Sequence, residues 1–476
     1  MPDPIVEPTE VQVEALGRVM RTAEHYLALI SQRPGAGQMP ASVAAEGCIG
    51  PVDDGVGAIA AIEALAEAAL LQATPSTGSR YFDFVIGGAT PAAMAADWLT
   101  ALVDQNAAGT GSSAWATELE AIVLEQLVDL FSLPRSWSGV LTASSMMASF
   151  TGLACATRWW ARSHGVDYVE DGLSGLPRLA VFTGPLVHPT VRKALQMLGH
   201  GRQCVVEVGD VDADAIDLSD LDRRLGAHEG RAIVVATAGD ASAGRFDPIA
   251  DVASVAGGHG AWLHIDGAFG LYASLAERTR HLLEGIERAD SIAADAHKWM
   301  NVPYESGFCL LRDPSGLEPT FGMPTATYLP APDQGFRGFS VLGPESSRRA
   351  RALPIWASVA AYGRAGLAGM VERHLDAAEH LGGRVAEEPD LELVIPPVSC
   401  VVCFRWSPPG RDPAGLDDAN RRLASTLAHA GRFALGTTSV RGVVALRAAL
   451  CNWRVQTPDV DELVAHVLQT AADLGR

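Results

Sequence analysis

Apolar residues follow two different patterns along this chain, and the change between them divides the sequence. Their spacing predicts helices over residues 9–32, 55–72, 90–105 and 116–131. From about 138 to 311 the pattern changes to short, β-rich apolar runs separated by helical stretches; the runs cover residues 179–182, 204–208, 232–237, 262–265, 291–294 and 307–311. Strands that alternate with helices predict an α/β domain with a largely parallel sheet, and such sheets bind ligands at the carboxyl ends of their strands.

The C-terminal part is predicted to be a smaller α+β unit. Residues 345–380 look helical, and they are followed by strands near 391–405 and 440–451 and by a final helix over 458–474. We therefore expect three parts, namely an N-terminal helical segment over 1–54, a large α/β domain over 55–345 and a small C-terminal domain over 346–476.

The charge balance excludes several kinds of partner. The 476 residues include 36 Lys and Arg against 56 Asp and Glu, a net charge of −20, so we expect no binding to nucleic acid or anionic lipid. No apolar stretch reaches the ~20 residues of a membrane span, and the N-terminus lacks a signal pattern, so we expect a soluble cytoplasmic protein. Cys400 and Cys403 have the spacing of a metal pair but lie in one apolar run without a second pair, which favours strand cysteines and no metal.

Lysine is the unusual residue of the composition. Only Lys193 and Lys298 occur among the 36 basic residues. Lys298 follows the apolar run 291–294 and precedes Trp299, where partial desolvation favours a neutral, nucleophilic amine that can form an imine with an aldehyde cofactor. Lys193 has no aromatic or acidic neighbour in sequence, and we interpret it as a solvated helix residue.

An acidic residue stands at the end of the strand predicted over 262–265. In His264-Ile265-Asp266-Gly267-Ala268 the carboxylate of Asp266 lies where an α/β sheet presents ligands, and it could hold a protonated pyridine nitrogen. The small residues after it leave room for a flat ring. Taken alone, Asp-Gly after a strand is also typical of a turn.

Together these two motifs carry a family resemblance. His-x-Asp-x-Ala over 264–268 followed by His-Lys-Trp over 297–299 resembles the group II amino-acid decarboxylases, which depend on pyridoxal 5'-phosphate (PLP) and include the aromatic amino-acid and glutamate decarboxylases. Supporting segments follow in the expected order over 81–106, 115–120, 139–149, 182–188, 236–248 and 344–356. The resemblance implies a fold type I, aspartate-aminotransferase-like large domain. It also implies a homodimer with shared active sites, in which the N-terminal segment packs on the partner subunit.

The resemblance also implies roles for individual residues. Lys298 would form the Schiff base with the cofactor, and Asp266 would pair with its pyridinium nitrogen. His188 would stack on one face of the ring and Ala268 on the other, while Thr237 would lie near the cofactor and the substrate carboxylate.

Phosphate contacts are implied at the start of the helix that follows residue 144. They would come from Ser145 and Met146, with His297 and Asp295 contributing from the other side. The family usually has Glu where this chain has Met147, so the backbone contacts are better supported than the side-chain contacts.

Aromatic residues suggest the substrate class. Phe82, Phe84 and Trp98 match segments that line the family's substrate pocket, which favours a bulky side chain over glutamate, although each is also a plausible core residue. Arg349 could pair with a carboxylate or, within the basic run 348–351, be solvated.

The loop over 329–347 departs from the family. The decarboxylases carry a loop tyrosine that returns a proton to Cα, whereas this loop has none. Phe339 is the aromatic residue nearest to the expected position of that tyrosine, and we expect it to lie beside the substrate. Family members without that tyrosine form aldehydes by decarboxylation coupled to oxidative deamination. Four readings therefore stay open: plain decarboxylation with Tyr304, Tyr328 or a histidine as proton donor, the oxidative variant, β-elimination or another lyase reaction on an amino acid or cysteine conjugate, and a catalytically silent cofactor-binding protein.

Overall fold

The computed structural model describes residues 8–35, 55–210, 212–323 and 338–474. Within these ranges the helices are α1 Thr9–Leu29, α2 Ala58–Gln72, α3 Pro91–Val103, α4 Thr110–Leu130, α5 Ser145–Ser163, α6 Tyr168–Asp171, α7 Pro189–Met197, α8 Leu218–Ala227, α9 Ile249–Gly258, α10 Glu318–Phe321, α11 Ala352–Glu387, α12 Leu416–Ala430 and α13 Thr457–Leu474. The strands are β1 Ser138–Thr142, β2 Val181–Thr183, β3 Val205–Glu207, β4 Ile233–Thr237, β5 Trp262–Asp266, β6 Ser291–Asp295, β7 Gly307–Leu311, β8 Leu391–Leu393, β9 Val401–Trp406, β10 Gly436–Val440 and β11 Val443–Ala449.

Seven of the described strands form the larger sheet, in the order β1-β7-β6-β5-β4-β2-β3. The pairs between β3, β2, β4, β5 and β6 are parallel, whereas β7 runs antiparallel to both β6 and β1. In this register Thr237 pairs with Asp266, and Asp266 pairs with Ala293. The carboxyl ends of β4, β5 and β6 therefore lie side by side, and the predicted α/β fold class with its mostly parallel sheet is confirmed.

The smaller sheet has the order β10-β11-β9-β8 and is antiparallel throughout. Its core includes Phe404 and Phe433 together with residues of α11, α12 and α13. Helix α11 also contacts α3 and α4, so it connects the two sheets. The predicted pair Cys400 and Cys403 is buried here, with Cys403 inside β9 and Cys400 directly before it.

Two helices begin six or more residues from their predicted start. Helix α4 starts six residues early, at Thr110, and α11 starts at Ala352 rather than at 345. Residues 348 and 351 precede α11 because their guanidinium groups turn inward into ion pairs with Glu120 and Glu345.

Helices α1 and α2 pack on each other, and neither contains a buried residue. Val13, Leu16 and Met20 of α1 and Leu65 of α2 are exposed apolar residues. None of the described helices is long and apolar enough to cross a membrane. The division into three domains stays a prediction, and residues 1–7 and 36–54 of the N-terminal segment lie outside the described ranges.

Candidate active site

A cavity of ≈ 280 Å³ opens where β4, β5 and β6 end. It brings together nine of the residues that the sequence singles out: Ser145, Met146, His188, Thr237, Asp266, Ala268, Asp295, His297 and Lys298. Larger cavities lie elsewhere on the chain, but within the described residues this one alone contains the lysine and the strand-end carboxylates.

Lys298 lies in a turn directly after β6. Its Nζ is 3.0 Å from Oδ2 of Asp295, the last residue of that strand. The backbone of this turn packs directly against Gly87, because a Cβ at residue 87 would lie 2.1 Å from the Lys298 carbonyl oxygen. The indole N–H of Trp299 donates to Nδ1 of the buried His374 at 2.9 Å. The turn and Trp299 are therefore fixed, and the Lys298 side chain reaches into the cavity.

Asp266 is the buried carboxylate at the end of β5. Burial raises its pKa, and the nearby charges of Lys298 and His188 oppose that rise. Its only hydrogen bond from the described residues comes from the backbone N–H of Ala268, at 3.2 Å. A carboxylate this poorly satisfied is stabilised by a cationic donor placed in the cavity.

His188 caps the N-terminus of α7. Its Nδ1 accepts from the backbone N–H of Thr190 at 3.3 Å and lies 2.7 Å from the Thr190 hydroxyl. Burial lowers the pKa of His188, partly offset by Asp266. A neutral imidazole fixed in this way can present its ring face to a flat ligand.

The N-terminus of α5 forms the opposite wall. The backbone N–H and hydroxyl of Ser145 donate to the two carboxylate oxygens of Asp295, at 2.5 and 2.6 Å. His297 Nε2 lies 3.5 Å from the same carboxylate, and burial lowers the pKa of this histidine. Ser145 can therefore serve a phosphate only when Asp295 turns toward Lys298 and His297, both of which it already contacts.

These residues fit PLP by the chemistry of their donors. Lys298 provides the amine, Asp266 the buried carboxylate for a pyridinium nitrogen, and the start of α5 the amides and hydroxyls that bind phosphate. His188 and Ala268 line the same cavity, as stacking on the two faces of the ring would require.

Two predicted substrate residues are placed in the core instead. Phe82 is fully buried, and its ring lies 6.0 Å from that of Phe433 in the core of the smaller sheet. Phe339 is 3% exposed, and its ring lies beneath the guanidinium of Arg348. Neither lines the cavity of the single chain, because both side chains pack against other residues of the chain, and their place in the substrate pocket stays a prediction. Tyr328 and residues 329–337 of the predicted loop lie outside the described residues.

Three other predicted substrate residues lie at the surface of this chain. Phe84 and Trp98 are exposed and do not line the cavity. Arg349 pairs with Asp97 through Nη1 at 2.6 Å, so the carboxylate it contacts belongs to the protein. The Phe84 carbonyl accepts from Arg447, which also donates to the carbonyl of Ala241 in the cavity wall, so Phe84 lies near the cavity mouth.

Sequence reasoning missed several lining residues, including Thr190, Asp240 and Phe269. Each lies within three positions of a residue that was predicted, so proximity to the motifs was the available signal. Asp240, the acidic residue after β4, was the easiest of the three to predict from its position. Its ion pair with Arg245, however, depends on a turn that no short motif indicates.

Most of the chain is similar in sequence to known pyridoxal-dependent decarboxylases. The sequence model described as "Pyridoxal-dependent decarboxylase conserved domain" matches residues 67–407. An aromatic-L-amino-acid decarboxylase from Bacillus atrophaeus is 26% identical over 372 residues, 76% of this chain and 75% of the relative. An L-2,4-diaminobutyrate decarboxylase from Rhizobium meliloti (strain 1021) is 32% identical over 391 residues, covering 80% and 76%.

Two further comparisons bear on chemistry and fold. A phenylacetaldehyde synthase from Arabidopsis thaliana is 26% identical over 353 residues, 70% of each chain. The crystal structure of Oryza sativa TDC with PLP and tryptamine aligns with a TM-score of 0.90 at 23% identity, covering 99% of both chains. At that identity the structural likeness shows the shared fold.

Proposed function

The chain belongs to the pyridoxal-dependent decarboxylase family and uses PLP, and from this premise we propose that it decarboxylates an amino acid with a bulky side chain. The observation that carries the proposal is the convergence of Lys298, Asp266 and His188 on one cavity at the strand ends. A catalytically silent protein has no need to keep all three groups in this arrangement.

Each residue of the cavity would have a defined task. Bound PLP supplies an electron sink for the bond that breaks at Cα. Lys298 would hold the cofactor aldehyde covalently, and its Nζ can exchange a proton with Asp295 at 3.0 Å. Asp266 would keep the ring nitrogen protonated, while His188 and Ala268 would hold the ring flat between them.

Phosphate would be bound at the start of α5. Ser145 and Met146 would contribute from the helix once Asp295 has turned toward Lys298, His297 would contribute from the other side, and Thr237 would lie beside the substrate carboxylate. The phosphate negative charge favours the helix N-terminus, where backbone N–H groups point toward it.

A bulky substrate is supported by Phe84, which lies near the cavity mouth. Phe84 and Trp98 are 63% and 40% exposed in the single chain. We infer that a second copy of the chain covers them, together with the exposed apolar residues of α1, in a homodimer with shared active sites. Sedimentation equilibrium should give twice the chain mass of 50.0 kDa, and a monomer that retains full activity would rule out the shared site.

Decarboxylation coupled to oxidative deamination is a second candidate. The absence of tyrosine between Tyr328 and Tyr362 favours it, and relatives of this chain include a phenylacetaldehyde synthase. Without a proton donor at Cα, the amino acid, O₂ and water would be converted into aldehyde, CO₂, ammonia and hydrogen peroxide, with O₂ as the two-electron oxidant.

Product analysis tests these alternatives together. The purified holoenzyme is incubated separately with L-tryptophan, L-phenylalanine, L-glutamate, L-2,4-diaminobutyrate and a bulky cysteine conjugate, while CO₂, O₂ and product masses are followed. We expect CO₂ from an aromatic substrate, with amine and no O₂ uptake for plain decarboxylation, or aldehyde with O₂ uptake for the oxidative reaction. Pyruvate and ammonia without CO₂ from a cysteine conjugate would establish β-elimination instead. Preference for glutamate would contradict the substrate class.

A further inference from the structure

Three arginine side chains line a second cavity, which lies at the opposite end of the strands from the Lys298 site. This cavity, of ≈ 630 Å³, is lined by the end of α5, by the residues that lead into β4 and β5, and by the segment after β7. Trp262 opens β5 and Asp266 closes it. Since a strand rises about 3.3 Å per residue, the cavity lies roughly 13 Å from the Lys298 site. We call it the arginine cavity.

Positive charge in the arginine cavity is not neutralised by the described residues. Arg158, Arg162 and Arg231 line it against a single carboxylate, Asp313. None of the three arginines has an ion pair within the described ranges, and Nε of Arg158 is buried without a hydrogen-bond partner. Oδ1 of Asp313 accepts from the N–H and hydroxyl of Ser315, so it caps its own turn.

Arg162 and Arg231 are exposed and Arg158 is partly buried, so their guanidinium groups are accessible to a ligand from solvent. The buried Arg348 and Arg351, by contrast, are paired with Glu120 and Glu345. The other titratable group in the wall, Cys155, supplies no counter-charge, because burial raises the pKa of its thiol to about 12. Clustered guanidinium groups without protein partners bind carboxylate or phosphate oxygens from outside.

Two indole rings provide an apolar wall beside this charge. Trp159 and Trp262 lie 5.7 Å apart at an interplanar angle of 57°, and the Arg231 guanidinium covers Trp159 at 4.5 Å. Trp262 is fixed by a 3.0 Å hydrogen bond from its N–H to the Ser291 hydroxyl. An inorganic anion would fill little of ≈ 630 Å³, whereas small-molecule sites typically span about 300–1,000 Å³.

We propose that the arginine cavity binds a small phosphate ester with a planar organic part, of the size of a nucleoside monophosphate. Arg158, Arg162 and Arg231 bind the phosphate, and the indoles of Trp159 and Trp262 contact the organic part. Three guanidinium groups and one carboxylate leave two positive charges, which match a phosphate monoester dianion. The site is separate from the Lys298 cavity and does not depend on the reaction proposed there.

Calorimetric titration of the holoenzyme tests the proposal, because bound PLP then fills the other phosphate site. AMP and inorganic phosphate are titrated into the wild-type protein and into the double variant Arg158→Gln/Arg231→Gln. We expect one AMP per chain, bound at least about tenfold more tightly than inorganic phosphate, and a loss of about 10- to 100-fold in the double variant. Arg280→Gln, at an exposed arginine outside the cavity, should bind AMP as the wild type does.

A second variant separates binding from folding. Trp159→Leu keeps all three arginines and should weaken AMP more than inorganic phosphate, while the visible absorbance of bound PLP stays unchanged in every variant. The proposal is overturned if AMP does not bind, if it binds the double variant equally well, or if it binds no more tightly than phosphate. Tighter binding of a poly-glutamate peptide than of AMP would assign the cluster to an acidic protein partner and would also overturn it. Catalytic activity is not the readout, so failure here leaves the proposed decarboxylation untouched.

Discussion

At the scale of single residues, the described tyrosine best placed to donate a proton near Lys298 is Tyr304. Its ring stacks on that of His297, with centroids 4.1 Å apart. Partial burial raises the pKa of Tyr304 to about 12, so the phenol keeps its proton at neutral pH. Such a group can supply the proton that the tyrosine-free loop lacks.

Replacing Tyr304 with Phe should therefore change the product rather than the binding of cofactor. We expect amine formation to fall by about 10²-fold, the typical contribution of a positioned acid, with aldehyde and O₂ uptake rising in proportion. Chromatography of the products and an O₂ electrode measure both. Tyr168→Phe, at a tyrosine of α6 that has no contact with His297, serves as the control. An unchanged ratio of amine to aldehyde in Tyr304→Phe would exclude this tyrosine as the proton source.

Some residues of the candidate site could be predicted from the sequence, and others could not. Lys298 and Asp266 were predictable as cavity residues because they lie at or just after the ends of buried strands, whereas His188, the N-cap of α7, was implied by the family resemblance. The positions of Phe82 and Phe339 were not predictable, because an aromatic side chain suits a core and a pocket equally. Which one it occupies depends on partners such as Phe433 and Arg348, far away in the sequence.

At the scale of elements, a buried ion pair joins α4 to the segment before α11. Arg348 donates to both carboxylate oxygens of Glu120, at 2.7 and 2.9 Å, and to the carbonyls of Ala107 and Leu141. Both side chains are essentially inaccessible to solvent. Removing one partner leaves a buried charge without compensation, which is far more costly than losing an exposed pair.

Glu120→Gln and Arg348→Met should each lower the free energy of unfolding by about 3–5 kcal/mol. The double variant should lose less than the sum by about 1–3 kcal/mol, because neither charge is then stranded. Arg349→Gln breaks a neighbouring but partly exposed pair and should cost at most about 1 kcal/mol. Urea titration gives all four values. Additive losses in the double variant would show that the two side chains act independently.

Element boundaries were predictable where an apolar run is continuous, and they were not where ion pairs to distant residues hold the chain. Strands β4 to β7 were placed within a residue or two because they are continuous apolar runs buried on both faces. The start of α11 was misplaced because residues 345–351 have helical composition but are fixed by ion pairs to distant elements. Local periodicity does not report such long-range contacts.

At the scale of the whole molecule, buried histidines should make the fold sensitive to acid. Burial lowers the pKa of His264 and His374 to about 3 and that of His200 to about 4. The unfolded chain binds protons near pH 6.5 and the folded chain does not, so this stability is present above pH 6.5 and is lost as pH falls. Asp247 opposes the trend, because burial raises its pKa to about 6.

These four groups alone, three histidines against one aspartate, leave two more protons on the unfolded chain between about pH 6 and 4. The free energy of unfolding should therefore fall by roughly 2–3 kcal/mol per pH unit in that window. Urea titrations near pH 7 and pH 5 measure the change. His200→Gln can keep a hydrogen bond to Thr157 and should reduce the slope by about one proton, whereas His429→Gln, at an exposed histidine, should not. A slope equal to that of the wild type in His200→Gln would contradict the account.

The central claim is that Lys298 is the cofactor-binding lysine of a catalytic site, and the chain offers a matched control in Lys193, its exposed second lysine. Borohydride reduction of the PLP-loaded protein, followed by peptide mass mapping, tests it most directly. We predict a reduced PLP adduct on Lys298, lost in Lys298→Ala together with the visible absorption band and with activity by on the order of 10⁴-fold or more. Lys193→Ala should retain all three. An adduct on Lys193, or a Lys298→Ala variant that keeps the band and the activity, would contradict it.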